Sequence, residues 1–253
     1  VAYDPTSDYL LEVAQGNIDG RSSVLKFGRN EDVDSGIPED IWDGGGLWVP
    51  PTAARTHDVD STSGQDDNSP GGTGARTIEI QGLDANFDIQ SETVVMNGLS
   101  NVATANTYTR IFRMKVLTAG ANGGNVGTIR ATAQVDGTLT AAMSPGYNQT
   151  LMAIYTVPDS HTAYMYRYYG SINRRASAAM NLELRVSTWD GAAYEPRQLK
   201  HVQGMHSQGG SFLNGIFEIP LRITERSDII MRADVGSNNM DISAGFDLVL
   251  VDD

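Results

Sequence analysis

The sequence predicts an all-β chain, an antiparallel and jelly-roll-like β-sandwich behind an extended, mostly irregular N-terminal arm. Three observations predict it. From Arg76 onward, short apolar alternations recur between Gly, Asn, Asp and Pro, the pattern of antiparallel strands and turns. Helical periodicity is almost absent. The first 70 residues hold 14 Asp and Glu against four Lys and Arg, so −10 of the net charge of −13 lies there.

In chain order, Asp8 to Ala14 is the one N-terminal stretch with helical promise, and Gly16 stops it. Residues 16 to 75 are rich in Gly, Pro, Asp and Ser, with short apolar words between them: Ser23-Val24-Leu25-Lys26-Phe27, Ile41-Trp42 and Leu47-Trp48-Val49. Gly44-Gly45-Gly46 and Pro50-Pro51 forbid a continuous helix, the first by backbone freedom and the second by loss of N–H donors. Ser61 to Gly74 carries no apolar side chain and reads as the boundary. The division is thus an acidic arm and linker over 1–75 and a sandwich over 76–253, with a candidate subdivision into 76–145 and 146–253.

Candidate strands are 76–81, 86–96, 108–118, 126–134, 150–156, 162–171, 180–189, 193–202, 213–223, 228–234 and 242–251. In Tyr164-Met165-Tyr166-Arg167-Tyr168-Tyr169, strict alternation places Tyr164, Tyr166 and Tyr168 on one face. Asn181 to Ser187 also alternates, and the Asp190-Gly191 that follows it signals a hairpin. Ser243 to Val251 runs almost to the last residue, so the final strand is expected inside a sheet, where removing about ten C-terminal residues prevents folding.

Composition narrows the chemistry. Hydrophobic residues make up 40 % of the chain and charged ones 19 %, which suits a folded protein rather than a disordered one. Phosphate backbones are held by clustered Lys and Arg; no such cluster exists, and no nucleic-acid partner is expected. Cysteine is absent, so disulfides, thiolate metal sites and cysteine nucleophiles are excluded. No apolar run of about 18 residues suggests a membrane partner. Val1-Ala2-Tyr3-Asp4-Pro5 lacks the basic and apolar pattern of a secretory leader, so synthesis in the cytoplasm of a producing cell is expected. His57, His161, His201 and His206 sit in no catalytic word, no cofactor motif is present, and a non-enzymatic chain without cofactors is expected. Asp58, Asp60, Asp66 and Asp67 are candidate calcium ligands, but the sixth position from Asp58 is Ser63 where an EF-hand loop needs Gly; solvated linker charge is the simpler reading. Carboxylates are numerous, yet nothing singles out a glycosidase pair. Phe27, Trp42 and Trp48 are candidate anchors on a neighbouring subunit, with docking on the chain's own sandwich as the alternative for the two tryptophans.

Several phrases resemble virion structural proteins of marine and cyanobacterial tailed bacteriophages. They include Lys26-Phe27-Gly28-Arg29-Asn30, Ile41-Trp42-Asp43-Gly44-Gly45-Gly46, Arg76-Thr77-Ile78-Glu79-Ile80-Gln81-Gly82-Leu83-Asp84 and Tyr108-Thr109-Arg110-Ile111-Phe112-Arg113. Tyr155-Thr156-Val157-Pro158-Asp159-Ser160-His161-Thr162-Ala163-Tyr164 resembles a T-V-P-x-G-x-T-x-Y turn of such proteins, with Ser160 in the glycine place. The resemblance implies a capsid decoration or cement protein on the outer surface of the phage head. Its partners would be the major capsid protein and other copies of itself, as a homotrimer. The alternative is a tail, collar or head-fibre component that binds a receptor or carbohydrate.

Overall fold

The computed structural model describes residues 8–174, 178–206 and 212–253. Among the described residues one short helix, α1 (Tyr9–Ala14), precedes sixteen strands: β1 (Arg21–Val33), β2 (Glu39–Asp40), β3 (His57–Ser61), β4 (Ala75–Leu83), β5 (Ile89–Val95), β6 (Val102–Ala103), β7 (Arg110–Ala119), β8 (Ile129–Ala133), β9 (Leu139–Met143), β10 (Ile154–Thr156), β11 (His161–Arg174), β12 (Ala179–Ser187), β13 (Gln198–His206), β14 (Phe212–Ile223), β15 (Asp228–Val235) and β16 (Met240–Asp252). Asp8 caps α1, its carboxylate accepting from the Leu10 N–H at 3.0 Å, as an N-cap aspartate does.

The strands form several small antiparallel sheets, ordered β1-β16-β11-β14, β10-β15-β12-β13 with β2 beside β15, β6-β3-β8-β9, and β5-β4-β7. Four small sheets read as a propeller-like arrangement rather than one jelly-roll sandwich. Strands distant in sequence pair within these sheets, as β1 does with β16 from the far end of the chain.

Two cores divide the apolar residues. One lies among β11, β12, β14, β15 and β16 and includes Met165, Leu182, Leu184, Met231, Ile242 and Phe246. The other joins Ile78, Ile80, Ile111, Met114, Ile129 and Met143 with Trp42 and Trp48. β15 touches both: Ile229 and Met231 face the first core and Ile230 the second. A strand covered on both sides needs a continuous apolar run, which explains Ile229-Ile230-Met231.

The arm is the largest departure from expectation. Arg21 to Asn30 pair in unbroken register with Val251 to Ile242, β2 pairs with β15, and β3 lies between β6 and β8. Segments on both sides of the expected 75/76 boundary therefore share sheets. Gly28 shows how closely β1 is held: a Cβ there would lie 2.3 Å from the Ala153 nitrogen and 2.4 Å from the Ile41 carbonyl oxygen. Gly45 and Gly46 take φ of +66° and +61°, left-handed values suited to glycine.

Two local readings also change. The register of β11 shifts between Met165 and Arg167, so Met165 and Tyr168 are both buried while Arg167 is exposed. A bulge inserts one residue and reverses the alternation beyond it, which breaks the expected shared face of Tyr164, Tyr166 and Tyr168. Ser160 has φ of +55°, so serine takes the left-handed conformation expected of glycine in that turn. The final strand β16 lies between β1 and β11 as expected, and β12 and β13 form the antiparallel pair signalled by Asp190-Gly191.

Candidate binding cleft and exposed apolar edge

The three candidate anchors do not project outward together. Trp48 is 1 % exposed, and its indole N–H donates to the Thr140 carbonyl at 3.0 Å. Its own backbone N–H donates to Asp40 Oδ2 at 2.8 Å. Trp42 is 3 % exposed and belongs to the same core, with its ring lying over Gly44, where no Cβ would fit. Phe27 is half-buried within β1, opposite Gly245. The tryptophans are thus core residues of their own chain, because the loop that carries them is drawn inward by Asp40. That carboxylate is fully buried and meets Arg197 at 2.9 Å and Arg232 at 2.7 Å.

The four calcium candidates are each engaged elsewhere. Asp58 accepts from Gln134 at 2.6 Å, Asp60 pairs with Arg130, and Asp67 accepts from the Ser69 N–H at 2.6 Å. Asp66 is fully buried; Oδ1 accepts from the Ala75 and Val126 N–H groups and Oδ2 from the Gly127 N–H, each at 2.8 Å, while the Ser61 hydroxyl donates to Oδ2 at 2.6 Å. This carboxylate ties the supposed linker to β4 and to the approach of β8. Among the described residues no three His, Cys, Asp or Glu side chains form a metal-binding group.

The histidines are likewise dispersed. His57 is fully buried with Nδ1 3.0 Å from the Arg55 carbonyl, and burial lowers its pKa to about 4. His161 lies 3.5 Å from Asp252, and His201 Nδ1 lies 2.6 Å from the Tyr168 hydroxyl. None of these contacts assembles a nucleophile, a base and an orienting carboxylate.

Two features were not singled out by the sequence. The first is a cleft of about 460 Å³ between β1 and the β5-β4-β7 sheet, lined in part by Lys26, Gln81, Gln90, Phe112, Arg113 and Tyr155. Lys26 is 3 % exposed, its ammonium nitrogen donates to the Phe112 carbonyl, and it lies 5.9 Å from the Phe112 ring centroid. Burial, and secondarily Arg113, push its pKa well below the ordinary lysine value. The only sequence signal was a lysine inside the apolar word Ser23 to Phe27.

The second is the edge formed by β14, the last strand of its sheet. Its register against β11 jumps from Arg167↔Ile216 to Met165↔Leu221, so Phe217 to Pro220 bulge out opposite Tyr166. Phe212, Ile216 and Ile219 are 72 %, 70 % and 86 % exposed. β13, at the edge of the adjoining sheet, is exposed throughout except at Met205. No helix among the described residues is long and apolar enough to cross a membrane.

No family model matches the chain and no curated protein matches it. Among solved structures, it is similar to a chain in the structure of infectious bursal disease virus Gt strain, at 9 % identity over 92 % of this chain and 73 % of that one. The TM-score of that superposition is 0.25, too loose to indicate a shared fold.

Proposed function

We propose that this chain is a non-enzymatic virion structural protein of a tailed bacteriophage, a capsid decoration or cement protein that binds major capsid subunits and other copies of itself on the outer face of the head. The observation that carries the reading is the β14 edge. Large apolar side chains exposed along one edge suit an interaction surface. The bulge and Pro220 resist simple strand-on-strand addition, so the contact would be made through Phe212, Ile216 and Ile219 rather than through a backbone ladder. Apolar anchors of this kind dominate association when a partner pocket covers them. The phrases that resemble phage virion proteins support the same reading.

The test is capsid binding by the purified chain and by an Ile216→Asp, Ile219→Asp double variant. The expected result is loss of binding by the variant, with its melting temperature unchanged because both side chains are exposed. Undiminished binding would remove the β14 edge from the proposal. Copy number separates the head from the tail: hundreds per particle fit a decoration protein, and a handful would favour the tail, collar or head-fibre alternative.

A further inference from the structure

The buried amine beside the cleft is the feature that the structural role does not use. Ten of the described lysines and arginines form ion pairs; Lys26 and Arg113 do not, nor do Arg21, Arg76, Lys200 and Arg222, and of these six Lys26 alone is buried. Arg113 donates to the Leu25 carbonyl at 3.4 Å, and Glu79, which feels its charge, is already paired with Lys115 at 2.5 Å. In a chain with a net charge of −13, acidic partners are abundant. Two cations without a carboxylate therefore mark a place where negative charge is absent from the fold itself.

An ammonium carries three donors, and Lys26 has one acceptor, the Phe112 carbonyl. Burying such a charge without a counter-ion is costly, which disfavours the ammonium form. The cleft wall next to it mixes aromatic faces, Phe112 and Tyr155, with the amides of Gln81 and Gln90. Its volume and its mixture of apolar surface with a few polar groups are those of a small-molecule site.

We propose that this cleft binds a small organic carboxylate, with the anionic end between Lys26 and Arg113 and the apolar body against Phe112 and Tyr155. Arrival of the carboxylate supplies the missing counter-ion and favours the ammonium form of Lys26, so proton uptake from solvent accompanies binding. Arg113 is charged throughout, and Tyr155, whose ionisation burial pushes higher still, stays neutral. The proposal does not depend on the capsid reading, since none of the residues it invokes belongs to β14.

The test is calorimetric titration of the full chain at pH 8 with benzoate, benzamide and inorganic phosphate, repeated in buffers of different ionisation enthalpy. Benzoate should bind and benzamide should not, with net proton uptake accompanying benzoate binding. Lys26→Met, which fills the same space without a charge, should weaken benzoate binding at least ~30-fold. Arg113→Gln, a change at a half-buried position, should weaken it as well and covers the case in which Lys26→Met fails to fold. Absence of benzoate binding, equal binding of benzamide, or undiminished binding by a folded Lys26→Met chain would each overturn the proposal. Phosphate binding as strong as benzoate would overturn the assignment to a carboxylate.

Discussion

Replacing Trp48 by alanine tests whether the N-terminal tryptophans hold this chain together or hold it to a neighbour. The side chain is 1 % exposed. A buried tryptophan removes roughly 200 Å² from water, which at ~25 cal/mol per Å² corresponds to about 5 kcal/mol. Measured losses for Trp→Ala in cores are about 3–5 kcal/mol. The variant also strands the Thr140 carbonyl that accepts from the indole at 3.0 Å, which adds about 1 kcal/mol. The expected loss of about 4–6 kcal/mol approaches the whole stability of a typical domain, about 5–15 kcal/mol. Urea denaturation followed by far-UV circular dichroism reads it, with Trp48→Phe as a control that loses the hydrogen bond and part of the ring and should therefore cost less than the alanine variant. An alanine variant within about 1 kcal/mol of the parent, but unable to associate with its partners, would refute the core assignment and restore the external anchor.

Deleting residues 1–70 removes β1, β3 and both N-terminal tryptophans, so the truncated chain should be insoluble or lack a cooperative melt; a folded fragment would show that β16 and β8 tolerate loss of their partners. Asp66→Asn should cost about 3 kcal/mol, because whichever oxygen becomes NH₂ faces two donors it formerly accepted, and a chelator should leave the parent's melting temperature unchanged. For His57, the folded pKa of about 4 lies below the ordinary 6.5, so the unfolded chain gains the proton first. Its contribution is complete above pH 6.5 and is lost as pH falls toward 4, roughly 3 kcal/mol at most. Asp43 acts oppositely: burial raises it from 3.8 to about 6, so its protonation favours the folded state over part of the same range. Asp43→Asn should therefore steepen the acid-side fall in melting temperature, and an imidazole resonance of His57 titrating near its ordinary value would overturn the argument.

Much of the strand pattern was legible because alternation and turn chemistry are local. The expected strands 162–171, 213–223 and 242–251 correspond to β11, β14 and β16. β9, Leu139–Met143, escaped notice because Leu-Thr-Ala-Ala-Met does not alternate in polarity; Thr140 is buried there and donates to the Ala131 carbonyl at 2.9 Å. The Tyr166 bulge was invisible for a related reason, since one inserted residue reverses every face beyond it while leaving composition unchanged.

What the sequence by itself determined is the all-β character, the position of the last strands, and the exclusion of cysteine chemistry, each of which depends on residue type and near neighbours. Tertiary structure alone decided the role of the first 60 residues, because the partner of Arg21 is Val251 and the partner of Asp40 is Arg232. It also decided the meaning of two charges. Asp66 read as linker polarity until four donors were brought around it, and Lys26 read as one cation among many until the fold buried it without a counter-charge. Burial and pairing are properties of segments distant in sequence, and they set whether a charged side chain is solvated, structural or poised for a ligand.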